Sequence, residues 1–143
     1  MNGMRLLCRG LPLWLGLLGG MPLAAHAQPV LTEVVCHLSY GGETKPLRLR
    51  PVASPYAVEA IEVGSSFLLR GVWHAQPAHL SSVQRSTYAA KDEGAVLLHQ
   101  ASYPVPTRPQ RGGFTGQHSV YEPVRDGELQ YWCEGVFSAG QGR

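Results

Sequence analysis

Residues 34–42 read VVCHLSYGG, and this stretch decides the fold class. Positions 34, 36, 38 and 40 are apolar and alternate with positions that include a histidine and a serine. An alternation with period two predicts a half-buried strand, with Cys36 on its inward face. Gly41-Gly42 then supplies the positive φ of a two-residue hairpin turn, so we expect the chain to return as a second strand.

Segments of the same kind recur along the chain, and no segment keeps a helical period. A second clear alternation runs from Phe67 to Trp73, and Asp126-Gly127 marks a hairpin near the end of the chain. Turn residues separate these segments roughly every ten positions, which predicts an all-β, antiparallel β-sandwich of about seven or eight strands.

Three other segments are predicted as strands of different character. Residues 58–63 are predicted as an ordinary strand and residues 83–88 as a weaker one. Residues 96–103 are the most apolar, and a continuous apolar run is typical of a strand buried on both faces, so we expect this strand to be central. Residues 104–116 hold three prolines and three glycines and are predicted as the longest loop.

Cys36 and Cys133 lie near opposite ends of this strand-rich region. In an oxidising compartment such a pair predicts a single disulfide that joins the N-terminal and C-terminal strands. The alternative is a metal site on Cys36-His37 and Cys133, which would need further ligands. The order Cys36, Trp73, Tyr131-x-Cys133 resembles part of the immunoglobulin pattern. Trp73 follows Cys36 by 37 residues rather than closely, so the resemblance implies an immunoglobulin-like architecture and leaves the topology open.

The first 27 residues are organised like a secretory signal peptide. Arg5 and Arg9 precede an apolar run, and Ala25-His26-Ala27 forms a small-x-small cleavage site. The apolar run is too short for a membrane span of about 20 residues. We therefore expect cleavage near Ala27, export to the periplasm (or secretion), and no membrane span in the mature chain. The expected organisation is a signal peptide at 1–27, a β-sandwich domain at 28–137 and a disordered tail at 138–143.

Charge and motifs exclude several classes of function. Once Arg5 and Arg9 are removed, ten basic and ten acidic residues remain, so the mature chain has no net charge and is not a polybasic nucleic-acid binder. The sequence has no G-x-S-x-G elbow, Glu59 and Glu62 fall on opposite faces of their strand, and oxidised cysteines are not nucleophiles. We predict a protein that is not an enzyme and needs no cofactor.

The predicted 104–116 loop and the last strand carry the candidate binding residues. If Tyr131 and Cys133 point inward, Trp132 points outward, where the loop covers it or a partner contacts it. Exposed aromatic and arginine side chains are typical anchors of binding sites, and long loops often carry function. The sequence therefore predicts that the exported domain binds an envelope protein or a small ligand, in an oligomeric state left open. The predicted contact residues are Arg108, Arg111, Phe114 and Trp132.

Histidines provide the alternative function, metal handling in the periplasm. Five remain in the mature chain: His37, His74, His79, His99 and His118. His74 and His79 fall at the end of a strand and in the loop that follows, so a copper(II) or zinc site on these two and one further ligand is the alternative. No H-x-H or C-x-x-C spacing links any pair, and the mature chain has no methionine for a copper(I) site.

Overall fold

The computed structural model describes residues 28–140, so the predicted signal peptide and residues 141–143 lie outside the described part of the chain. Within that part the chain forms eight strands and two short 3₁₀ turns, Pro55–Ala57 and Ala78–Leu80, and contains no helix long and apolar enough to cross a membrane. The strands are β1 (Val30–Tyr40), β2 (Glu43–Leu49), β3 (Ile61–Val63), β4 (Phe67–His74), β5 (Ser82–Lys91), β6 (Gly94–Pro104), β7 (His118–Glu122) and β8 (Gly127–Ser138).

The strands form two antiparallel sheets of four. Sheet I has the order β2-β1-β8-β7, and sheet II has the order β3-β4-β5-β6. Buried side chains of both sheets share one core, with Val34 and Leu129 from sheet I and Phe67 and Val83 from sheet II. The predicted all-β, antiparallel class is confirmed, and apolar faces packed against each other explain why both sheets hold together.

The quoted stretch folds as its pattern predicts. Gly41 and Gly42 have φ values of +60° and +82°, and they turn β1 into β2. Cys36 lies directly opposite Cys133 in the β1–β8 pair, and a disulfide joins them. The predicted disulfide is confirmed. It links neighbouring strands of one sheet, whereas the antibody-domain disulfide bridges the two sheets.

The second alternation is also confirmed. Phe67, Leu69, Gly71 and Trp73 on β4 are all buried. The strand predicted at residues 58–63 is wrong in its first half, because only Ile61–Val63 pairs with β4. A 3₁₀ turn occupies Pro55–Ala57, and residues 58–60 after it form no strand. Pro55 has a fixed φ that favours turns and a nitrogen that cannot donate to a strand ladder.

The predicted central position of β6 is wrong. β5, predicted as the weaker strand, is an interior strand of ten residues, and β6, predicted as central, is an edge strand. The polar residues Arg85 and Thr87 lie at buried positions of β5, while Val96 and Leu97 of β6 are 47% and 49% exposed. The apolar content of a segment does not determine whether it becomes an interior strand or an edge strand. Pairing with segments that are distant in sequence decides its place in the sheet.

Candidate functional site

Arg85 is the largest fully buried side chain of the described residues. It extends from β5 toward sheet I, where Nη1 donates a hydrogen bond of 2.9 Å to Sγ of Cys133. Its Cζ lies 4.2 Å from the ring centroid of Tyr131, which is a cation–π contact. The guanidinium group therefore lies in the core, between the disulfide and an aromatic ring.

Three buried side-chain atoms of Arg85 and Thr87 have no hydrogen-bond partner among residues 28–140. They are Nε and Nη2 of Arg85 and Oγ1 of Thr87, two residues further along the same face of β5. The ion pairs of the described chain do not include Arg85. Buried charges are ordinarily paired, since desolvation of an isolated ion costs several kcal/mol. This buried cation is therefore an exception that calls for a functional explanation.

A chain of hydrogen bonds covers Arg85 on the side where β6 and β7 meet, which we call the β6–β7 side. Nε2 of His118 lies 2.9 Å from the carbonyl oxygen of Thr115, which only accepts, so this nitrogen carries the proton. The same nitrogen lies 2.9 Å from Oη of Tyr103. Oη of Tyr103 also lies 3.4 Å from Oη of Tyr131. Oη of Tyr131 in turn lies 3.1 Å from Nδ1 of His99.

Arg85 keeps its positive charge at neutral pH. Burial lowers the pKa of Arg85 from 12.5 to about 10, which still leaves it protonated. Burial, His118 and the charge of Arg85 hold the pKa of His99 below its ordinary value of 6.5.

Exposed apolar side chains lie on β6, on β7 and in the turn after β7, where charged residues of the β5–β6 turn are their neighbours. Val96 and Leu97 of β6 are about half exposed, as is Tyr121 of β7, while Val124 in the turn after β7 is 73% exposed. Residues 94–104 read GAVLLHQASYP and contain no charged side chain. A bulge at Leu98 interrupts the register with β5. It separates this exposed half of β6 from the half that carries His99 and Tyr103.

The other three edge strands of the described structure differ from β6. Edge strands of soluble proteins are commonly shortened, or carry charges or proline, because their free backbone groups pair readily with other chains. β2 carries Glu43, Lys45, Pro46 and Arg48, whereas β3 has three residues and β7 has five. β6 has eleven residues and no charge, and its proline and its bulge lie at Pro104 and Leu98, so residues 94–97 carry neither charge nor proline.

The structure separates the predicted binding residues into two groups. Arg108 and Arg111 are exposed in the loop before β7, whereas Phe114 packs against the core. The backbone N–H of Phe114 donates to the carbonyl oxygen of Cys133, and the N–H of Cys133 donates to Oγ1 of Thr115, both at 2.9 Å. These two bonds fasten the end of the loop to β8.

Trp132 lies half-buried on the outer face of sheet I. Its indole ring stacks on His37 with ring centroids 4.2 Å apart, and Nε2 of His37 donates to Glu134 at 2.8 Å. The loop reaches the other side of the ring at Gly113, where a Cβ atom would lie 2.9 Å from Cε3 of Trp132. The loop therefore contacts Trp132, and partner binding by this residue stays a prediction.

The structure does not join His74 and His79 to a third ligand. His74 ends β4 and is half-buried, whereas His79 is exposed in the second 3₁₀ turn. Among residues 28–140, no group of three or more His, Cys, Asp or Glu side chains is arranged to hold a metal ion. His99 and His118 do come together, with ring centroids 5.5 Å apart, but their partners are tyrosines.

A cleft lies at the other edge of the two sheets, away from the β6–β7 side. The cleft, of about 260 Å³, opens between β2 and β3, and Leu38, Ile61 and Val63 form part of its wall. Its size is at the lower end of small-molecule sites, which occupy about 300–1,000 Å³. Unlike the β6–β7 side, its wall contains no fully buried polar group.

Sequence reasoning missed Arg85, the residue on which this side of the molecule is built. The available signal was an arginine on the inward positions of a strand, since Val83, Arg85, Thr87 and Ala89 alternate in period two. Neither a protein-family model, a curated protein nor a solved structure matches the chain.

Proposed function

We propose that this protein is an exported, non-enzymatic binding domain of the cell envelope, and that a partner protein adds a strand to the edge of β6. The observation that carries the proposal is the exposed, uncharged half of β6 at residues 94–98. Strand addition uses main-chain hydrogen bonds for affinity and side-chain contacts for specificity. Val96 and Leu97 supply the apolar contacts, with Tyr121 and Val124 beside them on the β6–β7 side.

Export rests on the sequence and on the disulfide. A signal peptide that ends near Ala27 directs the chain to an oxidising compartment, where the Cys36–Cys133 disulfide is stable. The periplasm is the proposed location. The immunoglobulin-like description is proposed at the level of architecture only, because the disulfide joins neighbours within sheet I.

The binding partner is proposed to present an apolar strand without charge. An uncharged edge gives no electrostatic reason to prefer a charged segment, and a lysine that faced it would be desolvated without a partner. Pairing with β6 of a second copy is a separate outcome, because it gives a species of twice the mass. No observation favours copper or zinc binding through His74 and His79, which remains a prediction from sequence.

Crosslinking in the periplasm of intact cells tests the proposal. A photoreactive amino acid at Val96 should give one adduct of defined mass, and the same residue at Thr44 on the charged edge strand β2 should give none. Leu97→Lys should remove the Val96 adduct, because a charged side chain on an edge blocks strand pairing. Thr44→Lys is the matched control and should leave the adduct intact. Equal adducts at Val96 and Thr44, or an adduct that survives Leu97→Lys, would contradict strand addition at β6.

A further inference from the structure

The core of the β6–β7 side contains a feature that strand addition does not use. Arg85 is buried and charged, and the described chain supplies no anion to it. Its two nitrogens without an acceptor, Nε and Nη2, are neighbours on one edge of the guanidinium group. That edge is a fork of two parallel N–H donors, the geometry that holds two oxygens of one anionic group.

We propose that Arg85 and Thr87 form a binding site for a carboxylate, enclosed by His99, Tyr103 and His118. The unpartnered groups all need an acceptor, because arginine only donates and the threonine hydroxyl can donate. A carboxylate has two oxygens with about four acceptor positions, enough for the fork and the hydroxyl together. Water would accept these hydrogen bonds but would leave the buried charge without a counter-charge.

Charge balance favours a carboxylate over a phosphate group. Arg85 carries one full positive charge, and burial, His118 and Arg85 itself hold the pKa of His99 below its ordinary value. A carboxylate carries a single negative charge, whereas a phosphate monoester carries about −1.5 to −2 at pH 7. The surrounding tyrosine hydroxyls are neutral and do not balance a second negative charge.

We place the entrance for the ligand between β6 and β7, where side chains rather than backbone hydrogen bonds join the two sheets. β6 and β7 belong to different sheets, and the bonds that join them over Arg85 run through Tyr103, His118 and Tyr131. His99, Tyr103 and His118 are half-buried, whereas Arg85 is fully buried. A ligand would therefore reach the fork of Arg85 by separating these side chains, which leaves the backbone ladders of both sheets intact.

An NMR titration of the ¹⁵N-labelled protein purified after export tests the site. The probes are sodium acetate, inorganic phosphate, and sodium chloride at equal ionic strength. Acetate should move the Nε–H resonance of Arg85 downfield in a saturable manner, whereas chloride should not. A linear response, an equal shift with chloride, or a stronger response to phosphate would overturn the carboxylate assignment.

Variants of Arg85 distinguish the contribution of its two parallel N–H donors from that of its positive charge. Arg85→Lys keeps the charge but loses the fork, and it should weaken acetate binding at least about tenfold, measured by the ring resonances of His99. Arg85→Met should abolish the response, whereas Arg70→Met, a change to a half-buried arginine on β4, should preserve it. If Arg85→Met does not fold, the wild-type Nε–H titration and Arg85→Lys still decide the question. An unchanged His99 response in Arg85→Lys would overturn the proposal.

The source of the carboxylate is distinguished by a pair of peptides. A short peptide with a free C-terminus is compared with the same peptide amidated at its C-terminus. Binding of the free form alone assigns the site to a protein C-terminus, whereas binding of acetate without either peptide assigns it to a small free acid. The site is independent of strand addition, so Leu97→Lys should leave the acetate shift unchanged.

Discussion

Arg85 occupies a position that a core would ordinarily give to an apolar side chain. It lies between Val83 and Thr87 on β5, and its guanidinium contacts a disulfide sulfur and the face of Tyr131. Neither contact neutralises a full charge, so the residue costs stability where it stands. Such a cost is typical of residues retained for binding rather than for folding.

The titration of His99 makes the stability of the folded protein depend on pH, and the direction of its pKa shift gives the sign. Its pKa in the folded protein lies below 6.5, because of burial and the nearby His118 and Arg85. The unfolded chain therefore takes up this proton first, so the stability it contributes is complete above about pH 6.5 and declines as the pH falls below that value.

Thermal unfolding of His99→Gln measures this effect. The midpoint of the wild-type protein should fall more steeply than that of the variant between about pH 7.5 and pH 5.5. His79→Gln, a change at an exposed histidine of the second 3₁₀ turn, should keep the wild-type slope. Identical slopes for wild type and His99→Gln would show that His99 does not titrate abnormally.

At the scale of elements, the loop before β7 is held to β8 by a close backbone approach. Gly113 has a φ of +79°, and a Cβ atom there would lie 2.3 Å from the carbonyl oxygen of Cys133. Gly112 has nearly the same φ, +78°, but no atom within 4 Å of a Cβ. Both glycines therefore have a left-handed backbone, and only Gly113 also lies in close contact with β8.

Alanine substitutions at these glycines separate the two effects. Gly112→Ala should cost about 1–2 kcal/mol, the penalty of a left-handed conformation with a side chain. Gly113→Ala should cost clearly more, because the loop must also move away from Cys133 and Trp132. Urea unfolding of both variants supplies the comparison. Equal losses would mean that the loop is not packed against β8 as described.

The limits of sequence reasoning also lie at the scale of elements. The alternation from Phe67 to Trp73 predicts an inward face correctly, because one buried face imposes a period of two. The same reasoning expects β6, rather than β5, to be an interior strand. Arg85 and Thr87 on β5 resemble exposed residues, whereas Val96 and Leu97 on β6 resemble buried ones. Both misreadings fall on the β6–β7 side. No local pattern could have indicated that cluster, because His99, His118 and Arg85 meet only through long-range pairing.

At the scale of the whole molecule, the disulfide closes the domain. Cys36 and Cys133 are 97 residues apart in sequence, and they join β1 and β8, the two interior strands of sheet I. A crosslink over so long a loop removes much of the freedom of the unfolded chain. The sequence predicts this pairing because, of its three cysteines, only Cys36 and Cys133 lie beyond the predicted signal peptide.

Removal of the disulfide should destabilise the domain strongly. The double variant Cys36→Ala/Cys133→Ala is expected to lose about 2–5 kcal/mol in free energy of unfolding. Thiol labelling of the wild-type chain from residue 28 onward supplies the control, with no label before reduction and two labels after it. A double variant as stable as the wild type would refute the role given to this crosslink.

The central claim is that the edge of β6 binds a strand of another protein. Hydrogen exchange of the protein alone and in the complex captured through Val96 tests it most directly. Those amides of residues 94–98 that point away from β5 should exchange at least about tenfold more slowly in the complex, because the added strand accepts their hydrogen bonds. Amides of β2 (Glu43–Leu49) should be unaffected. Unchanged exchange at residues 94–98, with protection elsewhere, would contradict the account.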